Sequence, residues 1–213
     1  MDINKIDKNM LGDGFEKDGL KFFSPETEPI KVFGGAYDTE YNSYGRLPRS
    51  VALTVNHGVT AMYSHPAGIR FAFRTNASKI AVRFRIPWDG VKVFTQANAG
   101  FDLYVRENKR QRLFLTYRPQ DIDENRYINI SRDIKDPKER EYIFYAPYGS
   151  GIDDISIGIN EDAYLKEADE YTYSQPIVFY GSSIVHGAHG ARSGMPYPSI
   201  ISRMYDIDIL NLG

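Results

Sequence analysis

Three small residues, Gly181, Ser182 and Ser183, directly follow the short apolar run "IVFY" at residues 177–180. A loop that leaves the carboxyl end of a parallel strand toward a helix presents free backbone N–H groups, which suit a bound anion or an oxyanion. Gly181 permits a tight turn, and a serine after it can expose its hydroxyl where an acyl group approaches. The spacing is therefore compatible with serine-based acyl transfer, although Gly-Ser-Ser after a strand is more often a plain turn or helix cap.

Serine catalysis also needs a base about 2.6–3.2 Å from the hydroxyl, itself oriented by a third group. His186 and His189 follow Ser183 closely, but the sequence offers neither of them an evident third group. We therefore expect His186 to line a substrate pocket and His189 to be a solvated loop residue. For Arg192 two roles stay open, binding a substrate carboxylate or sugar hydroxyl and forming a salt bridge within the loop.

The elements that must position these residues are a strand, a helix and a second strand. The continuous apolar run at 177–180 is typical of a strand covered on both faces in a parallel sheet. Residues 197–205 have helical spacing, with Pro198 in the first turn, and 207–213 predict the next strand. This is one βαβ unit, preceded by a polar connector at 160–176. One such unit cannot cover both faces of its sheet, so we expect an incomplete α/β domain at 173–213.

The preceding chain, residues 1–172, is predicted to be a separate β domain. Between residues 51 and 159 short runs alternate apolar and polar side chains with a period of two, as in "GIRFAFRT" and "KIAVRFRI". We interpret these two runs as a hairpin. Seven or more such runs without helical periodicity predict a mainly β fold, a β-sandwich of the jelly-roll type.

The composition narrows the classes of function. The 26 basic and 28 acidic residues are well mixed and give a formal net charge of −2, so neither nucleic acid nor a membrane surface is an expected partner. The chain has no cysteine, which excludes disulfides and thiolate metal sites. His57 and His65 lie too far apart, with too few carboxylates nearby, to predict a metal site. Trp88 and some of the tyrosines are candidates for stacking on sugar rings.

The first 23 residues lack the apolar core of a signal peptide and a run of about 20 apolar residues that could cross a bilayer. This leaves the compartment open, with the cytoplasm slightly favoured over secretion.

Two parts of the sequence resemble one known family. Residues 179–213 are similar to the first conserved block of the SGNH, or GDSL-like, hydrolases, in a version that has Gly-Ser-Ser-Ile in place of Gly-Asp-Ser-Leu. Upstream, "RLP" at 46–48, the segment "AGIRFAFRTNASKIAVRF" at 67–84 and "GFDLY" at 100–104 resemble the β-sandwich module that precedes the catalytic domain in one branch of that family. The hallmark of that module is Gly-x-Asp-Leu-Tyr.

The resemblance implies a flavodoxin-like α/β domain and a serine esterase without metal or cofactor. Ser183 matches the family's nucleophile, and its backbone N–H matches an oxyanion donor. Ser182 matches a residue that shapes the loop. Asn211 matches an asparagine that holds the following loop. The family's remaining oxyanion donors and its Asp-x-x-His pair correspond to positions beyond Gly213, so we expect this chain alone to be inactive. The expected substrate is a small-molecule or carbohydrate ester, with acetyl as the acyl group.

Asp102, in "GFDLY", is expected to be a buried acid that holds the sandwich or its contact with the second domain. Two alternatives to the enzyme remain. The sandwich is a non-catalytic module that binds a carbohydrate or a partner, or it is a lid that shapes the pocket over Ser183. We also expect the exposed faces of the βαβ unit to favour a homo-oligomer.

Overall fold

The computed structural model describes residues 19–87, 96–119, 122–123 and 125–213. In chain order the strands are β1 (Leu20–Phe23), β2 (Lys31–Phe33), β3 (Ala36–Asp38), β4 (Ser43–Gly45), β5 (Arg70–Thr75), β6 (Lys79–Arg85), β7 (Phe101–Glu107), β8 (Arg110–Tyr117), β9 (Tyr127–Asp133), β10 (Arg140–Tyr145), β11 (Asp153–Asn160), β12 (Leu165–Glu167), β13 (Tyr173–Tyr180) and β14 (Ile207–Leu212). The helices are α1 (Arg49–Ala52), α2 (His57–Met62), α3 (Gln96–Ala99), α4 (Ser183–His186) and α5 (Tyr197–Tyr205).

Within the described residues, β1 to β12 form two antiparallel sheets of six strands each. The first sheet has the order β3-β4-β11-β6-β9, with β1 also paired to β11. The second has the order β12-β5-β10-β7-β8, with β2 also paired to β5. The apolar side chains that alternate along the strands meet in one core between the sheets. Two sheets over a shared core make a β-sandwich, which confirms the predicted mainly β fold. The jelly-roll connectivity and the domain boundary at 172/173 stay predictions.

The predicted hairpin of β5 and β6 is wrong, because the two strands lie in different sheets. Phe71 and Phe73 of β5 enter the core from one side, and Ile80 and Val82 of β6 enter it from the other. The short link between the strands is therefore a crossover from sheet to sheet. A period of two identifies a strand and its buried face, but it does not specify the partner strand.

The predicted connector at 160–176 is also partly wrong. It contains β12, which pairs with β5, and the first residues of β13. The side chains of β12 are largely exposed, and an edge strand of this kind pairs through its backbone without an apolar pattern.

The βαβ unit is present as expected. Strands β13 and β14 are parallel, with Ile177 opposite Ile209, and α4 and α5 lie between them in the chain. Helix α5 has Pro198 in its first turn and ends before Asp206, which has a φ of 53°. The described residues leave Ile177 and Val178 about half exposed, at 47% and 54%, so the sheet is covered only in part. No helix in the described ranges is long and apolar enough to span a membrane.

Candidate active-site loop and its contact with the sandwich

Ser183 lies just beyond the carboxyl end of β13, as the first residue of α4. Gly181 and Ser182 form the turn between strand and helix, and the Gly181 N–H donates to the Leu212 carbonyl oxygen of β14 at 3.4 Å. A Cβ on Gly181 would lie 2.4 Å from Cγ2 of Val185, so a larger residue at this turn would displace the Val185 side chain. The Ser183 side chain is exposed. The strand, turn and helix therefore present this hydroxyl to solvent at the edge of the sheet.

No side chain of the described residues hydrogen-bonds to the Ser183 hydroxyl. The N–H groups of Gly187 and Ala188 donate to the Ser183 carbonyl oxygen at 3.1 and 2.9 Å, which closes the turn of α4. A serine hydroxyl is a weak nucleophile until a base takes its proton. The described residues thus place a candidate nucleophile without a base in contact with it.

His186 is buried between α4 and the sandwich. Its Nε2 lies 2.9 Å from the carbonyl oxygen of Tyr148, and its ring meets the ring of His65 edge-on with centroids 6.0 Å apart. Burial, together with the charge of Arg46, lowers the pKa of His186 to about 4, so the ring is neutral at pH 7. This contact occupies the imidazole, and its role in lining a pocket stays a prediction. His189 is exposed and has a φ of 65°.

Asn211 joins the end of β14 to α4. Its side chain is fully buried; Nδ2 donates to the carbonyl oxygen of Val185 at 3.0 Å, and Oδ1 accepts the N–H of Gly213 at 3.1 Å. A Cβ on Gly213 would lie 2.1 Å from the backbone nitrogen of His186. The chain after β14 therefore packs directly on the helix that begins with Ser183.

Asp102 of "GFDLY" binds the loop that precedes α5. Its carboxylate is fully buried; Oδ2 accepts the Gly194 N–H at 3.0 Å and Nη1 of Arg192 at 3.1 Å, and Oδ1 accepts Nε2 of Gln96 at 3.2 Å. Burial raises the pKa of the Asp102 carboxyl above its ordinary value, although the Gly194 N–H and Arg192 favour the charged form. Arg192 thus forms a salt bridge, but with Asp102 of the sandwich and not within its own loop, and its role in binding a substrate stays a prediction.

The other residues of the motif divide between the two sides of β7. Leu103 lies in the sandwich core, whereas Tyr104 points the opposite way. A Cβ on Gly194 would lie 2.7 Å from the Tyr104 ring, and the guanidinium of Arg203 in α5 stacks 4.4 Å from its centroid. Asp102 and Tyr104 share this outer face, since strand residues two apart point the same way. The motif therefore docks the second part of the chain onto the sandwich.

Comparisons with known proteins identify the family of this chain. A sequence model of the family described as GxDLY, the N-terminus of the SGNH-hydrolase-type esterases, matches residues 20–165. The chain belongs to this family. A second model, the GDSL-like Lipase/Acylhydrolase family, matches residues 174–213. A search of curated protein sequences found no match.

Solved structures share the fold of both parts. A Bacteroides ovatus protein named as a GDSL-like lipase superposes with a TM-score of 0.76 at 23% identity, over 91% of this chain and 56% of that one. A salicylyl-acyltransferase of a tetracycline biosynthetic pathway gives 0.69 at 19% identity, over 91% and 53%. A family two carbohydrate esterase from Cellvibrio japonicus gives 0.53 at 10% identity, over 90% and 51%. The chain thus spans about half the length of these proteins.

In this GxDLY-family chain, two arginines outside the motif also reach β14. Arg70 is fully buried; it donates to the Ile209 carbonyl oxygen and the Ser202 hydroxyl, both at 2.9 Å, and pairs with Asp208. Arg46 binds carbonyl oxygens at the end of β14. Glycine permits the close approach, since a Cβ on Gly68, whose φ is 85°, would lie 2.9 Å from Cβ of Asn211.

Sequence reasoning missed these two arginines. Arg70 alternates with core residues along β5, and nothing in that pattern separates an arginine that docks a second domain from one that faces water. The signal for Arg46 was its place in the family-like "RLP" segment. His57 is exposed, and His65 lies against His186. The described residues hold no group of three or more His, Asp or Glu side chains that could bind a metal ion. Trp88 lies outside the described residues.

Proposed function

We propose that this chain is the N-terminal part of an SGNH-type serine esterase that hydrolyses acyl esters, with acetyl groups on carbohydrate as the substrate. The observation that carries the proposal is the place of Ser183, which is exposed at the carboxyl end of a parallel strand and begins a short helix. The side chain of Asn211, at the end of β14, donates to a backbone carbonyl oxygen of that helix and fixes its position. The family membership and the shared fold with esterases and an acyltransferase support the same reaction class.

In this mechanism Oγ of Ser183 attacks the ester carbonyl carbon while a base removes the hydroxyl proton. The carbonyl oxygen becomes an oxyanion and accepts the backbone N–H of Ser183. Collapse of the intermediate expels the alcohol, which takes the proton from the base, and leaves an acyl group on Ser183. Water then hydrolyses the acyl-enzyme by the same steps. The resemblance implies that the base is the histidine of an Asp-x-x-His pair beyond this chain, with the aspartate orienting it. We therefore expect the chain alone to be inactive.

The first test compares Ser183→Ala with Ser182→Ala in the protein that contains this chain and the remainder of the α/β domain. Because removal of a nucleophile abolishes the covalent route, Ser183→Ala should lower kcat for p-nitrophenyl acetate by about 10⁴-fold or more. Ser182→Ala, which alters the same turn by one oxygen, should change kcat by less than about tenfold. Circular dichroism checks that both variants are folded.

Equal activity of wild type and Ser183→Ala would show that Ser183 is not the nucleophile.

A second measurement tests the substrate class. Release of acetate from acetylated xylan should exceed release of longer acyl groups from matched esters, and the reverse order would exclude the acetyl-carbohydrate assignment.

A further inference from the structure

Arg46 is a buried cation at the edge where β14 ends. The residue is 5% exposed, and burial lowers the pKa of its guanidinium to about 10. Among the described residues no Asp or Glu side chain lies within 4.0 Å of its nitrogens, and its Nε has no partner. The hydrogen bonds of its guanidinium go to backbone carbonyl oxygens. A buried charge without a counter-ion is costly, so its hydrogen bonds must compensate for much of that cost.

These carbonyl groups come from both parts of the chain. Nη2 donates to Met62 at 2.8 Å, next to Tyr63, whose carbonyl oxygen accepts the Arg46 N–H at 2.8 Å. Nη1 donates to Asn211 at 3.4 Å and to Gly213. The sandwich therefore fixes the guanidinium on one side, and the guanidinium fixes the end of β14 on the other.

Further contacts connect the end of β14 to helix α4, which begins with the candidate nucleophile Ser183. Asn211 donates to the carbonyl oxygen of Val185 in α4, and Gly213 lies against the backbone of His186. Helix α4 has one turn, and Ser183 is its first residue. A helix this short has few internal hydrogen bonds and depends on its neighbours for its position. A shift at the end of β14 would therefore move Ser183.

We propose that Arg46 is a positioning residue for Ser183, through the end of β14 and Asn211. The inference rests on the proposed function. It assigns to the sandwich a direct part in the reaction, since one of its side chains sets the place of the nucleophile. Arg70 provides the contrast, because it binds β14 near its middle, at Ile209, and has the carboxylate of Asp208 as its counter-ion. Arg70 thus docks the strand without reaching its active-site end.

The test measures kcat and KM for p-nitrophenyl acetate in the protein with a complete α/β domain, for Arg46→Lys, Arg46→Met and the matched control Arg70→Lys. A misplacement of about 1 Å can lower a rate about 100-fold, and we expect that loss in kcat for Arg46→Met, with KM changed less than about threefold. Arg46→Lys retains the charge, but an ammonium group cannot bond the carbonyl oxygens of both Met62 and the end of β14 as the planar guanidinium does. We expect kcat to fall about tenfold for this variant. Arg70→Lys should lower Tm and leave kcat within about threefold.

All rates are measured at a temperature at which each variant is folded by circular dichroism. If the Arg46 variants keep the kcat of Arg70→Lys, the positioning role is wrong, even if Ser183→Ala is inactive. If Ser183→Ala is active, the proposed function fails instead. Should Arg46→Met not fold, the comparison between Arg46→Lys and Arg70→Lys decides the question alone.

Discussion

At the scale of single residues, Asp102 shows how a family motif acts. Its carboxylate has no exposed surface, yet three donors from outside β7 converge on it, the Gly194 N–H, Arg192 and Gln96. A buried carboxylate persists where its lone pairs are occupied in this way. The acid of "GFDLY" is accordingly a docking point for the loop before α5.

Asp102→Ala and Asp102→Asn should therefore differ in stability. The alanine leaves the Gly194 N–H buried without an acceptor, and we expect it to lower the free energy of unfolding by about 2–3 kcal/mol. The asparagine retains one acceptor oxygen for the Gly194 N–H, but it loses the charge that pairs with Arg192, whose side chain is 28% exposed, and its amide NH2 replaces the oxygen that accepts Nε2 of Gln96. A smaller loss, of about 1–2 kcal/mol, is therefore expected. Urea unfolding of the two variants gives both values, and equal losses would contradict this role.

At the scale of elements, β14 and the segment from α4 to α5 dock onto the sandwich mainly through buried polar groups. Arg70, Asp102, His186 and Asn211 are each less than 9% exposed, and each has a hydrogen-bond partner across or along the contact. A cation–π contact of Arg203 with the Tyr104 ring adds to them. Because paired polar groups have directional requirements, such a contact fixes orientation as well as proximity.

This contact should be weakened by acid. Burial lowers the pKa of His186 to about 4 in the folded chain, against an ordinary value of 6.5, and the nearby Arg46 and His65 lower this pKa further. Since the unfolded chain binds this proton more readily, the stability that His186 contributes is complete above about pH 6.5 and is lost as the pH falls toward 4. The difference corresponds to about 3 kcal/mol.

The measurement is the free energy of unfolding from pH 7.5 to pH 4, compared between wild type and His186→Gln. The variant should lose less stability over this range. His189→Gln, which changes an exposed histidine of the same loop, should follow the wild type. Parallel curves for wild type and His186→Gln would show that His186 does not titrate in this contact.

The elements also show how far the sequence alone could be interpreted. Alternation at Phe71 and Phe73, and again at Ile80 and Val82, predicted both strands and their buried faces. It did not predict that the two faces meet across the sandwich, since pairing depends on contacts between distant parts of the chain. Ser183 could be singled out because a strand and a helix flank it directly. The place of Arg46 in "RLP" marked the residue but not its role, because Asn211 and Gly213 approach it only in the folded chain.

At the scale of the whole molecule, both faces of β13 and part of α5 are only partly covered among the described residues, since the consecutive residues Ile177 and Val178 point to opposite faces of the strand and both are exposed. Ile177 and Val178 on β13 and Met204 and Tyr205 on α5 are between 47% and 69% exposed. Adjacent apolar residues exposed to this extent favour association. In a protein that contains a complete α/β domain, further strands and helices would cover them.

We therefore expect this chain alone to associate with itself at high concentration, which light scattering or sedimentation equilibrium measures directly. Val178→Lys, at an exposed position of β13, should shift the equilibrium toward monomer. Lys21→Glu, on β1 of the sandwich, serves as a charge-changing control that should leave it unchanged. A wild-type chain that stays monomeric at millimolar concentration would contradict the expectation.

The sequence by itself determined most of the strands and α5, and it indicated the class of chemistry, because these depend on neighbouring residues. A period of two specifies a strand, helical spacing specifies α5, and Gly181 beside two serines is compatible with a turn that exposes a hydroxyl. The tertiary structure alone decided which strands pair, that "GFDLY" binds the loop at Gly194, and that Arg46 reaches the end of β14. Those contacts join residues about 90 to 170 positions apart, and only the packing of the whole chain brings them within hydrogen-bond distance.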